Sequence, residues 1–144
     1  MALEAREKSK AVRSGYKVGA CLVGEDDRGI TCYLPGYNIE LSGYPPIHAE
    51  HMAYIVGEFY QLQKHYAIVV ACDGGYPMCG ICRQLWINVN PSMRVIGVNT
   101  AKSSPEKVVD TTLDKLLPLP YPTWRSGHEN HYDIGTQEQD ESHS

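Results

Sequence analysis

The chain reads as an α/β protein in which a mixed sheet carries helices on both faces, and three observations predict this. Residues 18–24 and 29–37 are β-rich runs separated by Glu25-Asp26-Asp27-Arg28, a short polar connection that fits an antiparallel hairpin. Residues 67–72 (AIVVAC) and 94–99 (RVIGVN) are short, nearly continuous apolar runs of the kind found in strands buried on both sides. Around them apolar residues recur at helical intervals, so strand, helix, strand, helix and strand follow the hairpin.

Each element has its own justification. Residues 2–12 are good helix formers without a strong apolar stripe, which predicts a short surface helix ending before the Ser14-Gly15 turn. Both hairpin strands are expected to be largely buried. Residues 38–46 (NIELSGYPP) are rich in turn formers and predict a loop over a site. From residue 47 to about 63, Met52, Ile55, Val56 and Phe59 recur at helical spacing, predicting a helix buried along that face with His48 and Glu50 in its first turn. The turn at 73–77 leads to a second helix over 79–88, with Ile81, Leu85 and Trp86 at helical intervals. After the 94–99 strand come a polar loop, a short strand over 107–109, and a last helical turn capped by Thr111-Thr112 and stopped by Pro118.

At 144 residues the chain suits one domain, expected over residues 1–125. Residues 126–144 are polar and nearly free of aliphatic side chains, which predicts a disordered tail. No internal repeat is present. The opening twelve residues alternate acidic and basic groups without the apolar core of a signal peptide, and no run approaches a membrane span, so a cytoplasmic location is expected. A net charge of −4 gives no basic footprint for a polynucleotide. Five cysteines argue against a secreted disulfide framework, and Cys21, Cys32 and Cys72, in apolar runs, are expected as buried thiols.

The chemistry concentrates in two stretches, His48-Ala49-Glu50 and Pro77-Met78-Cys79-Gly80-Ile81-Cys82. One imidazole and two thiolates form a three-ligand zinc set that leaves the fourth tetrahedral position open, with a carboxylate two residues from the first ligand. Taken alone, a Cys-x-x-Cys pair could be a redox couple or half of a structural zinc site, and a histidine near a helix start is more often a capping or surface residue. A structural site needs a fourth ligand, and the chain offers no second Cys-x-x-Cys, only His128 and His131 in the polar tail. A redox pair has no use for His-Ala-Glu at the head of another helix. The conjunction therefore favours a catalytic zinc.

His-x-Glu followed by Cys-x-x-Cys is the signature of the zinc nucleobase deaminases, in which the glutamate is acid and base rather than ligand. The chain resembles the cytidine deaminases that act on free nucleosides, and does so in order along residues 14–121. Ser14-Gly15-Tyr16-Lys17-Val18-Gly19-Ala20 resembles the family's Ser-x-Phe-x-Val-Gly-Ala. Asn38-Ile39-Glu40 is similar to Asn-x-Glu, Cys79-Gly80-Ile81-Cys82-Arg83-Gln84 to Cys-Gly-x-Cys-Arg-Gln, and Leu116-Leu117-Pro118 to Leu-Leu-Pro. Two features depart from the pattern: Met78 intervenes between Pro77 and the first cysteine, and the stretch from Glu40 to His48 is short.

The resemblance implies a three-layer α/β/α sandwich around a mixed five-stranded sheet, assembled as a homotetramer. It implies Zn²⁺ on His48, Cys79 and Cys82, Glu50 as proton shuttle, and conversion of cytidine or 2′-deoxycytidine to the uracil nucleoside in pyrimidine salvage. Arg83 and His51 would support the ligands. His51 stands where relatives that use three cysteines often place an arginine, so a lost cation accompanies a lost thiolate. Tyr16 would pack on the base, Asn38 and Glu40 would bind the sugar hydroxyls, the Ala49 N–H would meet the base carbonyl, and the carbonyl of Tyr76 or Pro77 the leaving amine. Tyr44, Tyr121 and Trp124 are candidates to close sites across subunit boundaries. The expected partner is a small pyrimidine nucleoside, with no membrane and no nucleic acid. Three rival readings are a deaminase of a modified cytosine nucleoside such as blasticidin S, a non-catalytic module whose zinc is closed by a fourth ligand, and a polynucleotide editor.

Overall fold

The computed structural model describes residues 1–101 and 103–121. The expected tail at 126–144 and Trp124 lie outside the described residues. In chain order the elements are α1 (Ala2–Glu7), β1 (Gly19–Glu25), β2 (Thr31–Tyr37), α2 (Ala49–Phe59), β3 (Lys64–Cys72), α3 (Gly80–Ile87), β4 (Arg94–Asn99), β5 (Glu106–Thr112) and α4 (Leu113–Leu116). The five strands form one mixed sheet in the order β2-β1-β3-β4-β5. Only β3 and β4 pair in parallel; the other neighbours are antiparallel.

Strand periodicity divides the interior between two faces. Ala20, Leu22, Ile68, Val70 and Val95 point to the face where α2, α3 and α4 pack, with Trp86, Met93 and Leu113 fully buried among them. Cys21 and Ala71 point the other way and meet Ala2 of α1, with Val23, Val69 and Val98 beside them. The result is the expected three-layer arrangement, with a short helix covering one side. No helix among the described residues is long and apolar enough to cross a membrane.

Several expectations are corrected. α1 stops at Glu7 rather than near residue 12, because the following chain is drawn into contact with the loop after β2: Lys10 and Ile39 form an isolated bridge, and the Lys10 N–H donates to the Asn38 carbonyl. β2 is an edge strand and buries only Leu34 and Gly36, so Cys32 is half-buried rather than a core thiol. Thr112 occupies the N-cap of α4, but its side chain makes no capping hydrogen bond.

The largest correction concerns α2. Its buried residues are Ala49, Glu50, Ala53 and Gly57, whereas Ile55 and Phe59 are 61% and 79% exposed. The helix lies so close to β2 that a Cβ on Gly36 would collide with the Ala49 carbonyl oxygen and come within 2.7 Å of the Ala53 nitrogen. Small residues permit this approach; Ile55 and Phe59 are turned outward, while Met52 is half-buried and Val56 packs at the margin of the core. Gly36→Ala is therefore expected to cost about 3 kcal/mol, the upper end for overpacking, because backbone atoms cannot rotate aside. Gly80→Ala, at a position with nothing within 4 Å, should leave stability unchanged or slightly higher. Denaturant midpoints of the two variants check the contrast.

β2 and β3 are both antiparallel to β1, hence parallel to each other, and the chain leaves both at the same end of the sheet before entering α2 and α3. With one strand between them, those exits lie about 10 Å apart. The two helix starts are thereby brought to one place.

Candidate active site

His48 is the N-cap of α2 and Cys79 the N-cap of α3; neither side chain caps its own helix. Both are instead turned to each other and to Cys82, one turn into α3. The Sγ atoms of Cys79 and Cys82 are 3.6 Å apart, and each lies 3.4 Å from Nδ1 of His48. Around a tetrahedral zinc with ordinary bond lengths the corresponding separations are about 3.8 Å and 3.6 Å. Among the described residues this is the one group of three such side chains able to hold a metal ion. Burial pushes the Cys82 thiol well above its ordinary range, and the charges of Glu50 and Cys79 act in the same direction. A cation between the sulfurs would relieve that cost, so the donor set fits Zn²⁺ in both geometry and charge.

Glu50 is only 5% exposed, and its burial raises the carboxyl above the usual range; His48 and Cys82 beside it partly oppose that rise. A carboxyl so placed is shifted toward its protonated form, which suits a group that takes up and passes on a proton. His51 stacks on His48 with ring centroids 5.2 Å apart. Its Nε2 is buried without a hydrogen-bond partner, and burial, followed by the charge of His48, lowers its pKa. It backs the His48 ring, and its lowered pKa favours the neutral imidazole.

A cavity of about 510 Å³ opens at this cluster, and Tyr16, Asn38, Glu40, His48, Ala49, Glu50, Tyr76, Pro77, Cys79 and Arg83 all line it. Cys82 lies beneath, wholly buried, and His51 lies behind His48. The sugar-side candidates are already engaged with the protein. Asn38 Oδ1 accepts from the Val18 N–H and the Ser9 hydroxyl, and its amide donates to the Tyr16 carbonyl. Glu40 accepts from the backbone N–H groups of Arg13 and Ser14 and from the Ser14 hydroxyl, which hold its carboxyl below the usual range.

Arg83, also lining the cavity, donates from Nε to the Met78 carbonyl and from Nη1 to the Leu116 carbonyl, both at 2.9 Å. The inserted Met78 buries its side chain in the core while its carbonyl is held by Arg83. The carbonyl of Tyr76 receives the Cys72 thiol at 3.6 Å. Tyr44 is exposed and does not line the cavity, and Tyr121 exchanges two hydrogen bonds with the Gln84 side chain.

Sequence reasoning did not place Ser14, Ile47 or Cys72 in the cavity. Cys72 carried a signal, since it is the last residue of β3 and precedes the loop to Cys79 and Cys82. Such strand ends are where α/β folds place their sites.

No protein-family model matches the chain, and no curated protein matches it. Solved structures do. A cytidine deaminase from Burkholderia pseudomallei is 30% identical, with 83% of this chain and 93% of that one covered and a TM-score of 0.67. Cytidine deaminases from Mycobacterium leprae (23% identity, 82% and 92% covered, TM-score 0.59) and Mycobacterium tuberculosis (21%, 85% and 92%, 0.60) share the fold. Sequence identity over nearly the whole of the Burkholderia enzyme joins the sheet order and the His/Cys/Cys cluster in one conclusion: this chain belongs to the cytidine deaminase family.

Proposed function

We propose that the protein is a zinc-dependent hydrolase, carried by residues 1–125, that converts cytidine, 2′-deoxycytidine or both to the uracil nucleoside with release of ammonia. The observation that carries this reading is the spacing of the three ligand atoms with the buried carboxyl of Glu50 beside them. Zinc in such an open three-ligand site supplies a nucleophilic water at neutral pH. Glu50 takes one proton from the water and delivers it to N3 of the cytosine ring as the oxygen adds to C4. It then moves the second proton from that oxygen to the exocyclic amine, whose bond to C4 breaks to release ammonia. The Ala49 N–H holds the base carbonyl, and Asn38 and Glu40 shape the sugar end. The Met78 carbonyl is engaged by Arg83 and the Tyr76 carbonyl by Cys72, which favours Pro77 O as acceptor for the amine.

The reading places the enzyme in pyrimidine salvage in the cytoplasm, as a homotetramer. The outward apolar face of α2, with Ile55, Phe59 and Tyr60 exposed, supports assembly with further copies of the chain. Light scattering should give about four chain masses, and a monomer would overturn that part. The activity itself is tested by incubating zinc-loaded protein with each nucleoside and following the ultraviolet change from cytosine to uracil. Absence of turnover of every free cytosine nucleoside would remove the proposal.

A further inference from the structure

Tyr16 stands where the family pattern has phenylalanine, and the structure shows what the additional hydroxyl does. It donates to the backbone carbonyl of Asp73 at 2.8 Å, across 57 residues of sequence. Asp73 opens the loop that carries Tyr76, Pro77, Met78 and Cys79. Its carboxylate is already held at Oδ1 by Arg6 of α1 at 2.9 Å and by the Thr100 hydroxyl at 2.7 Å. Gly74 and Gly75 follow with φ of 87° and 67°, a left-handed pair that turns the chain sharply. The turn is pinned as well: the Gly74 N–H donates to Asn99 Oδ1, and a Cβ on Gly75 would lie 2.8 Å from the Asn99 nitrogen. Little slack remains between the Asp73 carbonyl and the Tyr76–Pro77 wall of the cavity.

The other end of the connection is equally defined. The Tyr16 N–H donates to the Ser14 hydroxyl oxygen at 3.0 Å, and that hydroxyl donates to Glu40 on the sugar side. Glu40, Ser14, Tyr16 and Asp73 thus form a continuous hydrogen-bonded strap from the sugar wall to the amine wall, with Ser14, Tyr16 and Glu40 themselves lining the cavity.

We propose that the Tyr16 hydroxyl is a positioning group that sets the spacing of the two cavity walls, and so the grip on a nucleoside, without taking part in the chemistry. The substrate part rests on the deaminase reading above. Partial burial and the neighbouring Cys72 thiol raise the phenol's pKa, so it remains a hydrogen-bond donor throughout the neutral range.

The test is Tyr16→Phe, which keeps the ring and removes only the strap, alongside Ser14→Ala, which breaks it at another link. Amide exchange of residues 74–76 is read on zinc-loaded protein without nucleoside, followed by kcat and KM for cytidine. Loss of one such hydrogen bond should speed exchange there and raise KM by about two- to tenfold in each variant, with kcat within about twofold and zinc content unchanged. Unchanged exchange in Tyr16→Phe would overturn the strap. Faster exchange with unchanged KM would reduce the hydroxyl to a structural pin and overturn its positioning role. The exchange arm needs no turnover, so a failure of the deaminase reading would be recognised separately.

Discussion

Glu50→Gln is expected to retain about one zinc per chain while turnover falls by about 10²- to 10⁴-fold, the range associated with a positioned acid–base group. The amide has nearly the same shape as the carboxyl, so the packing of a side chain that is 5% exposed should survive. What disappears is the capacity to take a proton and return it. Burial dominates the setting of Glu50 and raises its pKa, favouring the protonated form that the proposed step calls for. Zinc content by atomic absorption and the ultraviolet assay together check the expectation. Near-normal turnover in a zinc-replete Gln variant would show that the proton travels by another route.

Cys79→Ala is expected to lose both metal and activity. Removing this sulfur leaves Nδ1 of His48 and Sγ of Cys82, 3.4 Å apart, as a two-point site. It also removes one of the two negative charges that balance a divalent cation. Bound zinc after dialysis should fall well below one per chain, and turnover should fall with it. Cys79 is an exposed N-cap whose side chain forms no cap, so the apo variant should keep its fold. Unchanged circular dichroism with lost zinc is the expected pair of readings. A variant that kept a full equivalent of zinc would disprove the ligand assignment. Together Glu50→Gln and Cys79→Ala separate proton transfer from metal binding, which an activity measurement on either alone cannot do.

The strands were legible because their physical signals are local. Continuous apolar runs can be satisfied only in the middle of a sheet, and residues 67–72 and 94–99 fall within β3 and β4. The orientation of α2 was not legible, because close backbone approach selects residues with little hydropathy. Ala49, Ala53 and Gly57 face the sheet, while Ile55 and Phe59 imitate a core stripe from the outside. The clustering of His48, Cys79 and Cys82 could be read from residue type and spacing, since few functions need His-x-Glu and Cys-x-x-Cys together. The engagement of Asn38 and Glu40 could not. Their partners Ser9, Arg13, Ser14 and Val18 are about 20 to 30 residues away and reveal themselves only once the segment after α1 lies across the loop after β2. Met78 likewise looks like a simple insertion until its side chain is seen in the core and its carbonyl under Arg83.

The placement of β1 between β2 and β3 bears on how a metal ion would be captured by the His/Cys/Cys group. His48 and Cys79 are 31 residues apart, and their helices meet only when both outer strands have zipped onto β1. A nascent or unfolded chain can offer the nearby Cys79 and Cys82, but not the imidazole in register with them. Metal capture by all three side chains therefore requires the β2-β1-β3 part of the sheet to be in place. A ligand that selects the native state raises the unfolding free energy by mass action. The midpoint of thermal unfolding should climb with free zinc, making the ion a thermodynamic lock on the topology that created its site.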